Sequence, residues 1–219
     1  MTEEHREIRF VIFDLDDVLY DFDHPLRLRL LHELTGRPAA DIDRDVWGGP
    51  EEDLAETGVP ATAEGYLQQF GDLLKYPIDY ETWVDIRTRM LRPRPQVLDM
   101  VRQLKTQADI ALLTNNGMLL KKALPVCSPE AVELFGEKSH VSADFGARKP
   151  DPVVYQRICD HYGYAPSQCF FVDDKPENIE GAEQAGLKAH LFVDADGLLR
   201  SLKALGFKMT DIQSESAVA

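Results

Sequence analysis

A chain of 219 residues, 44% apolar and 28% charged, is long enough to bury one sizeable core and carry an insertion, and has an ordinary globular composition. Its 24 basic and 38 acidic residues leave a formal charge of −14, which argues against a nucleic-acid or anionic-membrane surface. No apolar run approaches the roughly 20 residues that cross a bilayer. The first residues, MTEEHRE, contain no long apolar segment of a signal peptide. Three scattered cysteines, Cys127, Cys159 and Cys169, fit a reducing cytoplasm better than a disulfide framework.

The first predicted element is Phe10-Val11-Ile12-Phe13. This run is rich in aromatic and β-branched residues and too short for a helix. It reads as a strand buried on both faces, as in a parallel sheet. It ends abruptly at Asp14, with Asp16, Asp17, Asp21 and Asp23 close behind. Ligands of open α/β sheets bind beyond the carboxyl ends of the strands, so Asp14 and Asp16 are delivered to that crevice. Carboxylates crowded there raise a pKa or recruit a cation. The competing expectation is a solvated acidic turn.

Helical patterns follow from Pro25 to Gly36, Ala39 to Trp47, Glu51 to Glu56, Ala63 to Leu74 and Tyr80 to Met90. Gly48-Gly49-Pro50, Gly58-Val59-Pro60 and Tyr76-Pro77 punctuate them. Residues 20–91 are therefore expected to form a helical insert above the acidic loop. Within it, Arg27, Arg37, Trp47 and the Gly48-Gly49 break are the polar or flexible features. These could line the cleft beneath the insert; the competing expectation for Arg27 is the solvated side of a helix whose leucines face inward. Tyr20, Trp47 and Trp83 are expected in the insert's core.

After Pro95 helices and strands alternate. Strands are predicted over Asp109 to Leu113, His140 to Asp144, Gln168 to Val172 and Ala189 to Val193. Helices are predicted over Gln96 to Thr106, Met118 to Leu124, Pro129 to Phe135, Val153 to Tyr162, Glu177 to Ala185 and Gly197 to Leu205. This alternation predicts an α/β fold with a doubly wound parallel sheet. Residues 1–19 and 92–207 would form the core, and 208–219 a disordered tail.

Four segments after strands bear polar groups that converge in such a sheet: Asp14-Leu15-Asp16-Asp17, Leu113-Thr114-Asn115-Asn116, Arg148-Lys149-Pro150-Asp151 and Val172-Asp173-Asp174-Lys175-Pro176-Glu177-Asn178. Their identity and order resemble the motifs of the haloacid dehalogenase-like (HAD) superfamily, most of whose members are phosphohydrolases. The resemblance extends over nearly the whole chain. It implies a central first strand, a small α-helical cap made by residues 20–91, and Mg²⁺ as cofactor. It implies that Asp14 is the nucleophile of an aspartyl-phosphate mechanism and Asp16 the general acid/base. Asp14, the Asp16 carbonyl, Asp173 and Asp174 would hold the metal. Thr114, Asn115, Lys149 and the Asp17 amide would bind phosphate. Asn178 stands where many relatives have Asp. The expected activity is hydrolysis of a small phosphorylated metabolite. The alternatives are a phosphomutase of the same fold or a phosphate-binding module without turnover.

Overall fold

The computed structural model describes residues 7–210. Residues 1–6 and 211–219, the latter most of the expected tail, lie outside the described residues. Lys208 and Thr210 are tied back by hydrogen bonds to Gln107 and Gln103.

Five parallel strands form the main sheet. In chain order they include β1 (Phe10–Phe13), β4 (Asp109–Thr114), β5 (Ser139–Val141), β6 (Cys169–Asp173) and β7 (Lys188–Leu191). The spatial order is β5-β4-β1-β6-β7, so the first strand lies at the centre. Both faces of β1 are buried, as its unbroken apolar run requires. Val11 and Phe13 join one apolar cluster, and Phe10 and Ile12 join the other. On the first face pack α6 (Pro95–Leu104), α8 (Pro129–Phe135) and α11 (Ala195–Ala204); on the second pack α9 (Pro152–Tyr162) and α10 (Pro176–Gln184). Helices on both faces make the sheet doubly wound.

Five helices lie between β1 and α6: α1 (His24–Thr35), α2 (Ala39–Trp47), α3 (Pro50–Glu56), α4 (Ala63–Leu74) and α5 (Tyr80–Arg89). Asp23, Thr62 and Asp79 cap α1, α4 and α5 by accepting from main-chain N–H groups in the first turn. The helices pack together and against α7 (Met118–Cys127).

The structure adds an antiparallel pair that the sequence did not reveal. β2 (Tyr20–Phe22) and β3 (Leu91–Pro93) are its strands. They join the two connections to the helical insert. Three-residue strands are too short to show periodicity, and Pro93 argues locally against one. The strand expected over residues 140–144 is also shorter. It ends at Val141, and a 3₁₀ turn over Ser142–Phe145 follows.

Candidate active site

Strand register aligns the polar ends. Phe13 is opposite Leu112 of β4 and Val172 of β6. Asp14, Thr114 and Asp173 therefore leave the sheet at one edge. Asp14 is locked to that edge by its main-chain N–H, which donates to the Val172 carbonyl at 2.9 Å.

Lys149 is the centre of the charge arrangement. Its side chain is 1% exposed. Its ammonium lies 2.6 Å from Asp173 Oδ2 and 2.8 Å from Asp14 Oδ1. Burial acts to discharge it, but Asp14 and Asp173 outweigh burial and raise its pKa. Asn115 fixes the loop that delivers this lysine. Its Nδ2 donates to the Lys149 carbonyl at 2.8 Å, and its Oδ1 accepts from the Lys149 N–H at 2.9 Å. Its side chain thus holds the lysine's backbone. Thr114 is buried beside it and accepts from Asn116 Nδ2 at 3.1 Å.

Burial pushes the Asp14 carboxyl up to about 7; Lys149 opposes this and Asp173 adds to it. Asp14 Oδ1 is buried without a hydrogen bond. Lys149 is close to it, but off the direction a hydrogen bond requires. Asp173 is oriented from behind. Its Oδ1 accepts from Asn178 Nδ2 and the Lys175 N–H, each at 2.9 Å. Asn178 thus positions a carboxylate. Burial, then Asp173, also raise the pKa of Asp174. One carboxylate oxygen from each of Asp14, Asp173 and Asp174 lies within 4.8 Å of the others. Three converging carboxylate oxygen donors fit a hard divalent cation such as Mg²⁺.

Asp16 faces the same cavity of about 350 Å³ as Asp14 and Lys149. Its carboxylate accepts from Arg87 of α5, on the insert. Asp17 differs from expectation. It adopts a left-handed conformation with φ 58°, and its N–H donates to the Tyr20 carbonyl at 2.7 Å. Its amide closes the turn into β2 and is not a donor for phosphate in this geometry.

Sequence reasoning missed Arg87 and a clasp formed by Arg148. Arg148 pairs with Asp53 at 2.7 Å and with Glu56 at 2.5 Å. Both partners are on α3, so the loop bearing Lys149 is tied to the insert. No local pattern marks these arginines, because their partners are distant in sequence. Of the two expectations for Arg27, the structure matches the cleft-lining one: it is buried over the Trp47 ring and lines the cavity rather than being solvated. Arg37 is structural: it donates to the Leu73 and Leu74 carbonyls and pairs with Asp45.

Among the described residues, no helix is long and apolar enough to cross a membrane. A phosphatase of Mycobacterium tuberculosis is 30% identical over 217 residues, covering 91% of this chain and 95% of that protein. A D-ribitol-5-phosphate phosphatase of Bacteroides thetaiotaomicron is 26% identical over 195 residues, covering 83% and 90%. A HAD family enzyme of the same bacterium, solved as a magnesium complex, has a TM-score of 0.72 at 20% identity, covering 89% of this chain and 99% of that one. A HAD-like family hydrolase from Porphyromonas gingivalis has a TM-score of 0.74 at 22% identity, covering 93% and 100%. Residues 8–186 match the haloacid dehalogenase-like hydrolase family, and the chain belongs to that family.

Proposed function

We propose that this haloacid dehalogenase-like phosphatase is a Mg²⁺-dependent phosphomonoester hydrolase that acts on a small phosphorylated metabolite through an aspartyl-phosphate. The observation that carries the reading is the buried Asp14–Lys149–Asp173 arrangement, with Asp14 Oδ1 lacking a hydrogen bond and Asp16 on the same cavity.

A phosphate monoester is anionic and repels an approaching carboxylate. Lys149 offsets that repulsion and stabilises charge as it builds on the phosphoryl oxygens. The side chains of Asp14, Asp173 and Asp174 and the Asp16 carbonyl would hold Mg²⁺. When bound, the cation would supply further positive charge to offset the negative charge of the phosphate. Asp14 attacks phosphorus, forming a P–O bond as the ester P–O bond breaks. Asp16 gives its proton to the departing alkoxide. It then takes a proton from the water that cleaves the aspartyl-phosphate. Thr114 binds phosphate oxygens, while Asn115 positions Lys149.

Residues 20–91 act as a cap over the core formed by 7–19 and 92–207. Arg27, Trp47, Glu52 and Arg87 from the insert line the same cavity as Asp14, which supports a lid that excludes water. The sparse cysteines fit a cytoplasmic enzyme. The test is phosphate release from a panel of phosphomonoesters with Mg²⁺ and with EDTA. Release with Mg²⁺ and loss with EDTA are expected. Equal rates would overturn the metal role, and no release from any ester would favour a binding module.

A further inference from the structure

The cap end of the cavity contains a charge that the reaction chemistry does not use. Arg27 of α1 is 8% exposed. Its guanidinium carbon is 4.1 Å from the centre of the Trp47 ring and 5.8 Å from that of Phe70. Among the described residues no hydrogen bond or ion pair reaches this guanidinium, which opens onto the cavity. The acids around it are engaged elsewhere. Asp16 accepts from Arg87 at 2.8 and 2.7 Å. Glu52 accepts from the Tyr66 hydroxyl at 3.0 and 2.8 Å. Glu56 accepts from Arg148 at 2.5 Å. Burial, with Arg87 next in strength, pushes Arg27 down to about 10. It therefore remains charged at neutral pH.

A buried guanidinium offers five donors and no acceptor, and leaving it without an anion is costly. The Trp47 ring covers one face of the group, and the group lines the cavity. A planar guanidinium matches a carboxylate through two parallel N–H···O bonds, a fit that a hydroxyl does not provide. The cavity of about 350 Å³ limits the ligand to a small molecule.

We propose that Arg27 anchors a carboxylate on the leaving group, so that the preferred substrates are phosphate esters of small hydroxy acids. The proposal rests on the hydrolase reading and names its substrate class.

The experiment compares 3-phosphoglycerate with glycerol 3-phosphate, which differ only by carboxylate against hydroxymethyl. It measures kcat/KM for each with the wild type, Arg27→Gln and Arg27→Lys. In parallel, calorimetry measures binding of each ester to Asp14→Asn with Mg²⁺ present, with and without Arg27→Gln. The wild type is expected to favour the carboxylate ester by about 10- to 100-fold. Arg27→Gln should bring that ratio close to one, and Arg27→Lys should restore part of it. The same preference, and the same loss of it, should appear in binding. Equal kcat/KM for the two esters, or a ratio unchanged by Arg27→Gln, overturns the carboxylate site and leaves the hydrolase reading standing. A binding preference that depends on Arg27, without hydrolysis of either ester or of 4-nitrophenyl phosphate, supports the site and overturns the hydrolase reading. Circular dichroism of Arg27→Lys and Arg27→Gln verifies that both fold.

Discussion

Arg87 extends from α5 to the catalytic loop and donates from one guanidinium nitrogen to both carboxylate oxygens of Asp16, at 2.8 and 2.7 Å. The arginine is buried and Asp16 is partly open to the cavity. The insert thereby grips the side chain proposed as general acid/base. Arg87 also lies over the Phe22 ring at 5.0 Å, so the same guanidinium touches one of the two connections to the insert.

Arg87→Gln is expected to act through Asp16. Leaving groups that need protonation should suffer most. Hydrolysis of an alkyl phosphate should fall by about 10²-fold, and that of 4-nitrophenyl phosphate by much less. Removing the partner of a carboxylate that is only partly buried should also lower stability, by about 1–2 kcal/mol. Steady-state rates with the two esters and a urea unfolding curve check both effects. An equal loss with both esters would mean that Arg87 does not work through Asp16.

The two catalytic aspartates should fail differently. Asp14→Asn removes the nucleophile, because an amide does not displace the ester oxygen, and no covalent intermediate should form. Asp16→Asn should still accept phosphoryl from 4-nitrophenyl phosphate and then accumulate aspartyl-phosphate. Rapid acid quench followed by mass spectrometry of the intact protein would detect the added phosphoryl group. Its presence in Asp14→Asn, or its absence from Asp16→Asn, contradicts the assignment.

Gly181 sits where α10 presses on the loop carrying Lys149. A Cβ at this position would meet the Pro150 carbonyl oxygen at 2.0 Å, a backbone atom with little room to yield. Gly181→Ala should therefore displace the loop and Lys149 with it. A cost of about 1–3 kcal/mol and a fall in kcat of about tenfold or more are expected. Melting temperature and kcat with saturating substrate measure them. A variant that is both as stable and as active as the wild type would show that the loop is not constrained by α10.

Glu56 makes the clasp pH-sensitive. Burial raises its pKa from 4.5 to about 7, against the pull of the neighbouring Arg148. The folded state therefore holds this proton more tightly than the unfolded chain. The resulting contribution to stability is complete below pH 4.5 and is lost as pH rises through about 7. The wild-type melting temperature should fall relative to that of Glu56→Gln between pH 5 and pH 7.5. Parallel melting curves for the two proteins test this; a constant difference across the range removes the assigned role of Glu56.

Local chemistry made much of this protein legible from its sequence. An apolar run buried on both faces must be short, dense and uninterrupted, as Phe10 to Phe13 is. The abrupt change to Asp14 marks the strand end, and in a parallel sheet strand ends are where side chains converge. Thr114 and Asp173 follow the same rule, and the loop that brings Lys149 enters at the same edge. The sequence did not reveal what the insert does to that edge. Arg87 and Asp16 are 71 residues apart, and Arg148 and Glu56 are 92 apart. Their pairing depends on how five helices seat above the sheet. Arg27 shows the same limit. A leucine-flanked arginine reads locally as the wet side of a helix, and only packing against Trp47 makes it a buried cation facing the cavity. The Asp17 amide, drawn into the turn before β2, was likewise decided by a strand pair too short for any periodicity to announce. Strand ends are set by neighbours in the chain, whereas the charge partners of the cleft are set by neighbours in space.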